Sequence, residues 1–249
     1  MPEYLTISII AVIVCYSGIH LLEFTSFLSR VAGVITGAKV TSYTLQQTTF
    51  VATRFLFVAM MPLIGFVVDK RIVNESYLLM VHAALLCASV FYLLVLLCAE
   101  HIVRYFCGVI YKFQKQGGLL QSLVCPEIKP IALEKLKLKK IFDLLRKEKK
   151  NKGLFYGGVI VFCCYSIGVF VSFYAALNFY DYRSSIGQMS GIVNALATVI
   201  LTFYVEPRIS DAIDKDDEGA IDKIYILLLG RLVGVAICAQ TLVLLLWLI

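Results

Sequence analysis

Arg54 is a charged residue in a costly position, because it lies inside an apolar run long enough to cross a bilayer. A guanidinium in hydrocarbon costs about 3 kcal/mol or more, so it is retained where it faces a protein interior, a water-filled cavity or an anion. Arg30, Lys39 and Arg231 lie at the edges of other apolar runs. Arginine is the natural partner for pyrophosphate, because its planar fork binds phosphate oxygens bidentately. We predict that the three arginines and Lys39 are substrate-binding cations. For Arg30, Lys39 and Arg231, the alternative is that their side chains snorkel to the lipid headgroups.

Polar residues close to Arg54 support this interpretation. Gln46, Gln47 and Thr53 precede it within the same apolar run. Recurring along a helix, they would give successive turns a face that water can wet. We therefore predict that these three residues line a polar cavity.

A second polar group lies near the end of the first apolar run. His20, Glu23, Phe27 and Arg30 share one helix face if the first helix continues past Leu22, so that Glu23 would hold Arg30 or His20 by charge. The functional interpretation is a protonatable carboxylate beside a substrate-binding cation, as in proton-coupled carriers. The alternative is a structural ion pair at the membrane boundary.

No pattern of an enzyme or of a metal site occurs. The histidines are His20, His82 and His101, and none has the H-x-x-x-H or H-E-x-x-H spacing of a metal site. No G-x-S-x-G nucleophile elbow occurs either. We expect a protein without a catalytic residue, a metal or a cofactor.

Composition indicates the fold class. The chain is 60% hydrophobic and 16% charged, whereas soluble domains are roughly 45–50% apolar and about 25% charged. Long apolar runs favour helices over a barrel in lipid. We predict an all-α polytopic membrane protein, a single domain over residues 1–249 that comprises a first three-helix unit (1–99), a basic loop (100–153) and a second unit (154–249). The six predicted spans are Tyr4–Leu22, Leu45–Val68, Tyr77–Ala99, Leu154–Leu177, Gly187–Val205 and Ile224–Leu248.

The charge of the middle loop predicts the orientation. Glu100–Lys152 holds 13 Lys and Arg residues against 5 Asp and Glu residues, so it should be cytoplasmic, with both termini outside. After Pro130 a stripe of Leu138, Ile141, Phe142 and Leu145 follows helical spacing among lysines. This predicts a basic amphipathic helix on anionic inner-leaflet lipids, or alternatively a solvated linker helix; a nucleic-acid role is not expected.

A short motif occurs twice. Pro62 to Lys70 and Pro207 to Lys215 both read P-x-I-x-x-x-[VI]-D-K, which aligns Asp69 with Asp214. A repeat of three spans has odd parity, so its copies would have opposite topology, as in transporters whose substrate site lies near the midplane. We predict that Pro62, Asp69, Pro207 and Asp214 are repeat or gating positions. The alternative is two unrelated helix ends.

Several of these segments resemble the Amj family of bacterial lipid II flippases, the alternates to the larger MurJ flippase. The resemblance covers both ends of the chain, and its most specific part is Ser-Arg-Val-Ala-Gly-Val-Ile-Thr-Gly at 29–37. The other similar segments are Thr53-Arg54, 62–69 and 230–234. The resemblance implies a multi-pass protein of the bacterial cytoplasmic membrane. It would move lipid II, the undecaprenyl-pyrophosphate-linked peptidoglycan precursor, to the outer leaflet for cell-wall biogenesis.

We therefore expect Arg30, Arg54 and Arg231 to receive pyrophosphate in a laterally open cavity while the prenyl tail stays in lipid. Six spans are few for so large a headgroup, which favours a homodimer. One alternative is a flippase for another undecaprenyl-linked oligosaccharide, such as an O-antigen or capsule unit. Another is a non-transporting scaffold subunit of an envelope-synthesis complex, and a mostly apolar, closed interior would favour that.

Overall fold

The computed structural model describes residues 2–127, 138–215 and 219–248, and within these ranges the chain forms helices and turns without a strand. Six stretches of the described chain are long and apolar enough to cross a membrane, so the predicted fold class and number of spans are confirmed. In chain order the α-helices are α1 (Glu3–Thr36), α2 (Lys39–Asp69), α3 (Asn74–Leu97), α4 (Ala99–Gln116), α5 (Leu119–Val124), α6 (Leu138–Lys147), α7 (Lys149–Asn178), α8 (Arg183–Gln188), α9 (Ser190–Ile200), α10 (Glu206–Asp214), α11 (Ala220–Val233) and α12 (Gln240–Leu246).

The fifth and sixth membrane spans are composite helices. Span 5 (Tyr180–Asp214) joins a 3-10 turn, α8, α9, a π-helical turn at Leu201–Val205 and α10. The π turn ends two residues before Pro207, which has no N–H to donate, so the looser turn accommodates the break in the hydrogen-bond ladder. Span 6 (Ala220–Leu246) contains a second π turn at Gly234–Ala239.

The first two helices are longer than the hydropathy predicts. α1 continues 14 residues beyond the predicted end at Leu22 and stops at Gly37, whose φ of 72° is the left-handed conformation that glycine adopts readily. α2 begins at Lys39 rather than Leu45, and Pro62 does not end it, because the helix continues to Asp69. Arg30 is therefore carried inside a helix rather than on a loop.

Spans 1 and 4 each pack between the two spans that follow them in the chain. α1 contacts α2 and α3 extensively, and α7 contacts spans 5 and 6. Glycines bring α7 and span 6 together, since a Cβ on Gly230 would lie 2.6 Å from the Phe155 carbonyl oxygen and one on Gly234 2.6 Å from that of Val159. Arg231 lies between these two glycines in the sequence, where the two helices approach closely.

The middle loop is more structured than predicted. α4 follows α3 at once and packs Val103, Phe106 and Ile110 against α1, where burial raises the pKa of Cys107 to about 11. The predicted helix start at Pro130 lies outside the described residues. α6 carries the predicted stripe, but Ile141 is buried against protein because α6 packs on α7 and α11.

The two copies of the repeated motif end their helices in the same way. α2 ends at Asp69 and α10 at the aligned Asp214. The amide of Lys70 donates to the carbonyls of Phe66 and Val68, and that of Lys215 donates to the two aligned carbonyls, Asp211 and Ile213. The sequence motif thus corresponds to one local structure.

Candidate anion-binding groove

Arg30 joins three helices at the end of the bundle that carries α4 to α6, here called the loop end. Its side chain is buried and donates to Gln46 Oε1 at 3.3 Å and to Ser210 Oγ at 3.1 Å. Glu206 Oε2 lies 3.8 Å from Arg30 Nη1, and the guanidinium lies 5.0 Å from the ring centre of Tyr43. Arg30 therefore holds α1, α2 and α10 together, with a loosely placed carboxylate as its counter-charge.

Arg231 is the centre of a second cluster within the bundle. It is fully buried, and it donates from Nη2 to Glu23 Oε2 at 2.6 Å and from Nε to the Tyr92 hydroxyl at 2.9 Å. A further hydrogen bond joins Tyr92 to His20 Nδ1. The expected partner of Glu23 was Arg30 or His20, and the structure differs: Glu23 and Arg30 lie about 10 Å apart along the helix axis, too far for a bond.

Arg54 differs from both buried arginines, because it is exposed on α2 and makes no hydrogen bond or ion pair with the described residues. It lies fifteen residues from each end of α2, which places it about 22 Å along the axis from either end. Tyr43 and Gly65, each eleven residues away, lie on the same helix face. Gly65 faces Phe173 of α7, so Arg54 lies on the side of α2 that faces α7.

A hydroxyl pair lies across from Arg54. The Tyr165 hydroxyl on α7 lies 2.7 Å from Thr198 Oγ1 in span 5, and Thr198 Oγ1 donates to the Asn194 carbonyl at 2.7 Å. Arg54 is close enough to the Tyr165 hydroxyl for an electrostatic interaction. α2 and span 5 both pack on α7, and we call the space between them, with α7 at its base, the groove. By their positions along the helices, Arg54, Tyr165 and Thr198 lie midway along it.

Polar contacts close the groove at its two ends. At the loop end, Lys39 Nζ at the start of α2 donates to the Asp214 carbonyl at the end of span 5, at 3.2 Å. At the far end, Arg183 Nε near the start of span 5 donates to Asp69 Oδ1 at the end of α2, at 2.8 Å. The Tyr180 hydroxyl adds a bond to the Asp69 carbonyl at 3.3 Å. We call these contacts the loop-end latch and the far-end latch.

Comparison with known proteins decides the family. Residues 16–246 match the family described as Amj, Alternate to MurJ. The chain belongs to the Amj family. The lipid II flippase Amj of Bacillus subtilis (strain 168) is 31% identical over 75 residues, which are 30% of this chain and 28% of that protein. No solved structure matches the chain.

The remaining predicted lining residues of this Amj-family protein have different surroundings. Gln46 is buried beside Arg30, and Thr53 is buried and donates to the Phe50 carbonyl at 2.7 Å. Gln47 is exposed. The three residues predicted to line one polar cavity therefore do not share one face of α2, because Gln46 and Thr53 are turned toward α1 and Gln47 is turned away from it.

Sequence reasoning missed several residues of these clusters, among them Glu206, Tyr92, Tyr165 and Thr198. A carboxylate directly before Pro207, at the end of an apolar run, was a signal that would have identified Glu206 as a partner for a buried cation. Tyrosine and threonine are ordinary residues in apolar helices, so the other three gave no comparable signal.

Proposed function

We propose that this Amj-family protein is a lipid II flippase, a transporter that moves the undecaprenyl-pyrophosphate-linked peptidoglycan precursor across the cytoplasmic membrane. The observation that carries the proposal is the unpaired guanidinium of Arg54, midway along a membrane span. A cation at that depth is costly, and no acidic side chain of the described chain compensates it. A mobile anion that enters the groove would do so. The name of the Bacillus subtilis relative supports lipid II as the cargo.

The groove suits a substrate that is half headgroup and half lipid. The pyrophosphate and sugars must cross about 30 Å of hydrocarbon, whereas the prenyl tail is stable in it. Because α2 and span 5 expose most of their surface, the groove can open sideways to lipid and leave the tail outside. The protein then supplies charge and hydrogen bonds along the path and no covalent chemistry.

The three arginines would not contribute equally. Arg231 forms a short 2.6 Å bond with Glu23 and is enclosed, so we assign it a structural role in the second unit. The 3.8 Å contact of Arg30 with Glu206 is looser, so an arriving pyrophosphate can compete for Arg30. We therefore propose Arg30 as an entry site at the loop end and Arg54 as the midplane site.

The latches supply a route to alternating access. A basic residue at the start of α2 binds the last residue of span 5, and a basic residue at the start of span 5 binds the last residue of α2. A two-fold axis in the membrane plane produces such reciprocal contacts, which supports inverted repeats. Opening one latch while the other stays closed would expose Arg54 to one side at a time. We propose that the loop end is cytoplasmic and both termini lie outside.

The test compares Arg54→Ala and Arg54→Lys with the wild-type protein in liposomes that contain fluorescent lipid II. Transport is followed by a probe that binds lipid II and cannot cross the membrane. A lost charge-assisted contact is worth about 1.5–3 kcal/mol, so we expect Arg54→Ala to slow transport roughly 10- to 150-fold. Lysine keeps the charge but lacks the fork, so Arg54→Lys should recover only part of the rate.

Arg104→Ala is the matched control, because Arg104 lies on α4 outside the spans and pairs with Glu100. It should transport at the wild-type rate. An Arg54→Ala protein that inserts normally and transports as fast as this control would refute the proposed site. Transport of an undecaprenyl-linked O-antigen or capsule unit in place of lipid II would identify the alternative cargo, since both carry the same pyrophosphate.

A further inference from the structure

The hydroxyl pair at the base of the groove lies at the same depth as Arg54. Tyr165 is sixteen residues from the start of α7, and Thr198 is eighteen residues from the start of span 5, so each is near the middle of its helix. Tyr165 is partly exposed and Thr198 is exposed. Both hydroxyls are therefore within reach of a group that occupies the groove beside Arg54.

Both hydroxyl protons can leave their present hydrogen bonds and turn toward a ligand. Thr198 donates its single proton to the Asn194 carbonyl, so the 2.7 Å contact between the two hydroxyls uses the proton of Tyr165. The Asn194 carbonyl also accepts the backbone N–H four residues later in α9, so it stays bonded if Thr198 turns away. An anion can take both protons without leaving a buried acceptor unsatisfied.

Close helix packing fixes the pair before a ligand arrives. A Cβ on Gly168 would lie 3.0 Å from Val193 and 3.1 Å from Asn194 Oδ1, so glycine at this position lets α7 and α9 approach closely. Gly168 is one turn from Tyr165, and Asn194 is one turn from Thr198. The two hydroxyls are therefore held at a fixed spacing from each other.

We infer that Tyr165 and Thr198 donate hydrogen bonds to one phosphate of a pyrophosphate whose other phosphate is bound by Arg54. This inference rests on the proposed function and adds a specificity to it. A pyrophosphate offers two phosphates, one for the arginine and one for the hydroxyl pair, whereas a lipid with a single phosphate offers one group for both. The groove therefore selects polyprenyl pyrophosphates over polyprenyl monophosphates.

The test measures the affinity of the purified full-length protein for undecaprenyl pyrophosphate and for undecaprenyl phosphate, by native mass spectrometry. Wild type should bind the pyrophosphate more tightly. Tyr165→Phe should weaken pyrophosphate binding about tenfold and leave monophosphate binding unchanged, because it removes one donor to a charged acceptor. Thr198→Val should act in the same direction, and Thr198→Ser, which keeps the hydroxyl, should restore the preference. Tyr156→Phe, at an exposed tyrosine of the same helix, is the control.

The possible outcomes separate this inference from the proposed function. A wild-type preference that both Tyr165→Phe and Thr198→Val retain overturns the inference alone. A wild-type protein that binds neither lipid overturns the proposed function and the inference with it. Unfolding temperatures of all variants are measured in parallel, and Thr198→Ser guards against misfolding, since equal losses in Thr198→Ser and Thr198→Val would show that the hydroxyl is irrelevant.

Discussion

Replacing Glu23 by glutamine should destabilise the protein, because it leaves the fully buried Arg231 guanidinium without its counter-charge. The two side chains are 2.6 Å apart, and glutamine matches glutamate in size, so no cavity forms. Removing one partner of a buried pair costs about 3–5 kcal/mol. Since Glu23 keeps 22% of its side chain exposed and Arg231 keeps its bond to Tyr92, we expect the lower limit, about 3 kcal/mol. For a chain of this length that is a fall in unfolding temperature of roughly 6–12 °C.

A double variant separates the stability of this pair from transport. Glu23→Leu combined with Arg231→Met replaces both charges by apolar groups, and such replacements are often neutral or stabilising. We expect this variant to unfold within a few degrees of wild type and to keep most of its transport, since we assign Arg231 a structural role. The measurements are the unfolding temperature in detergent and the lipid II assay in liposomes.

Glu100→Gln is the matched control for Glu23→Gln. Glu100→Gln breaks a partly exposed i,i+4 pair with Arg104 on α4, which is worth about 0–1 kcal/mol, so its unfolding temperature should barely change. If Glu23→Gln were as stable as Glu100→Gln, the buried Arg231 would not depend on the Glu23 carboxylate as its counter-charge. If the double variant were stable but could not transport, Arg231 would bind substrate and our ranking of the arginines would be wrong.

Two further predictions concern the latches and the orientation. Cysteines in place of Asp69 and Arg183 should form a disulfide that holds the far-end latch closed and stops transport until a reductant is added; undiminished transport by the oxidised protein would rule out opening at that end. In a variant without the native cysteines, Gln121→Cys on exposed α5 should react with a membrane-impermeant thiol reagent in inside-out vesicles and not in intact cells. Labelling in intact cells would reverse the proposed topology.

The sequence predicted the number and order of the spans because each has an apolar run of sufficient length. It failed at the end of α1, where Glu23 and Arg30 looked like the charged residues that follow a span. Their partners, Arg231 and Glu206, lie far away in sequence, so the sequence alone did not indicate that these charges are neutralised inside the bundle. α4 was missed because its charged residues conceal a buried stripe with helical spacing.

For the same reason, the sequence alone does not show which of the three arginines is enclosed. Hydropathy depends on the residues adjacent in sequence, and by that measure Arg54 and Arg231 both lie in strongly apolar surroundings. Burial depends on the neighbours in space, and an arginine can be enclosed only where another helix supplies a carboxylate. Arg30 and Arg231 have one, and Arg54 has none among the described residues. The apolar context marked Arg54 as unusual, and its exposure within a span is what distinguishes it from the buried Arg30 and Arg231.

The absence of a second Arg54 is compatible with inverted repeats. The offset of the repeated motif aligns Thr53 with Thr198 and Arg54 with Val199, so the threonine recurs and the arginine does not. A two-fold axis in the membrane plane would pass between α2 and span 5, near the middle of both helices. Residues close to such an axis face their own copies, and two arginines there would repel each other across a low-dielectric groove. One cation near the axis can serve a headgroup that approaches from either leaflet. The latches lie far from such an axis and could occur twice without that cost. Two of the helix ends that form them, at Asp69 and Asp214, carry the motif that occurs twice in the sequence.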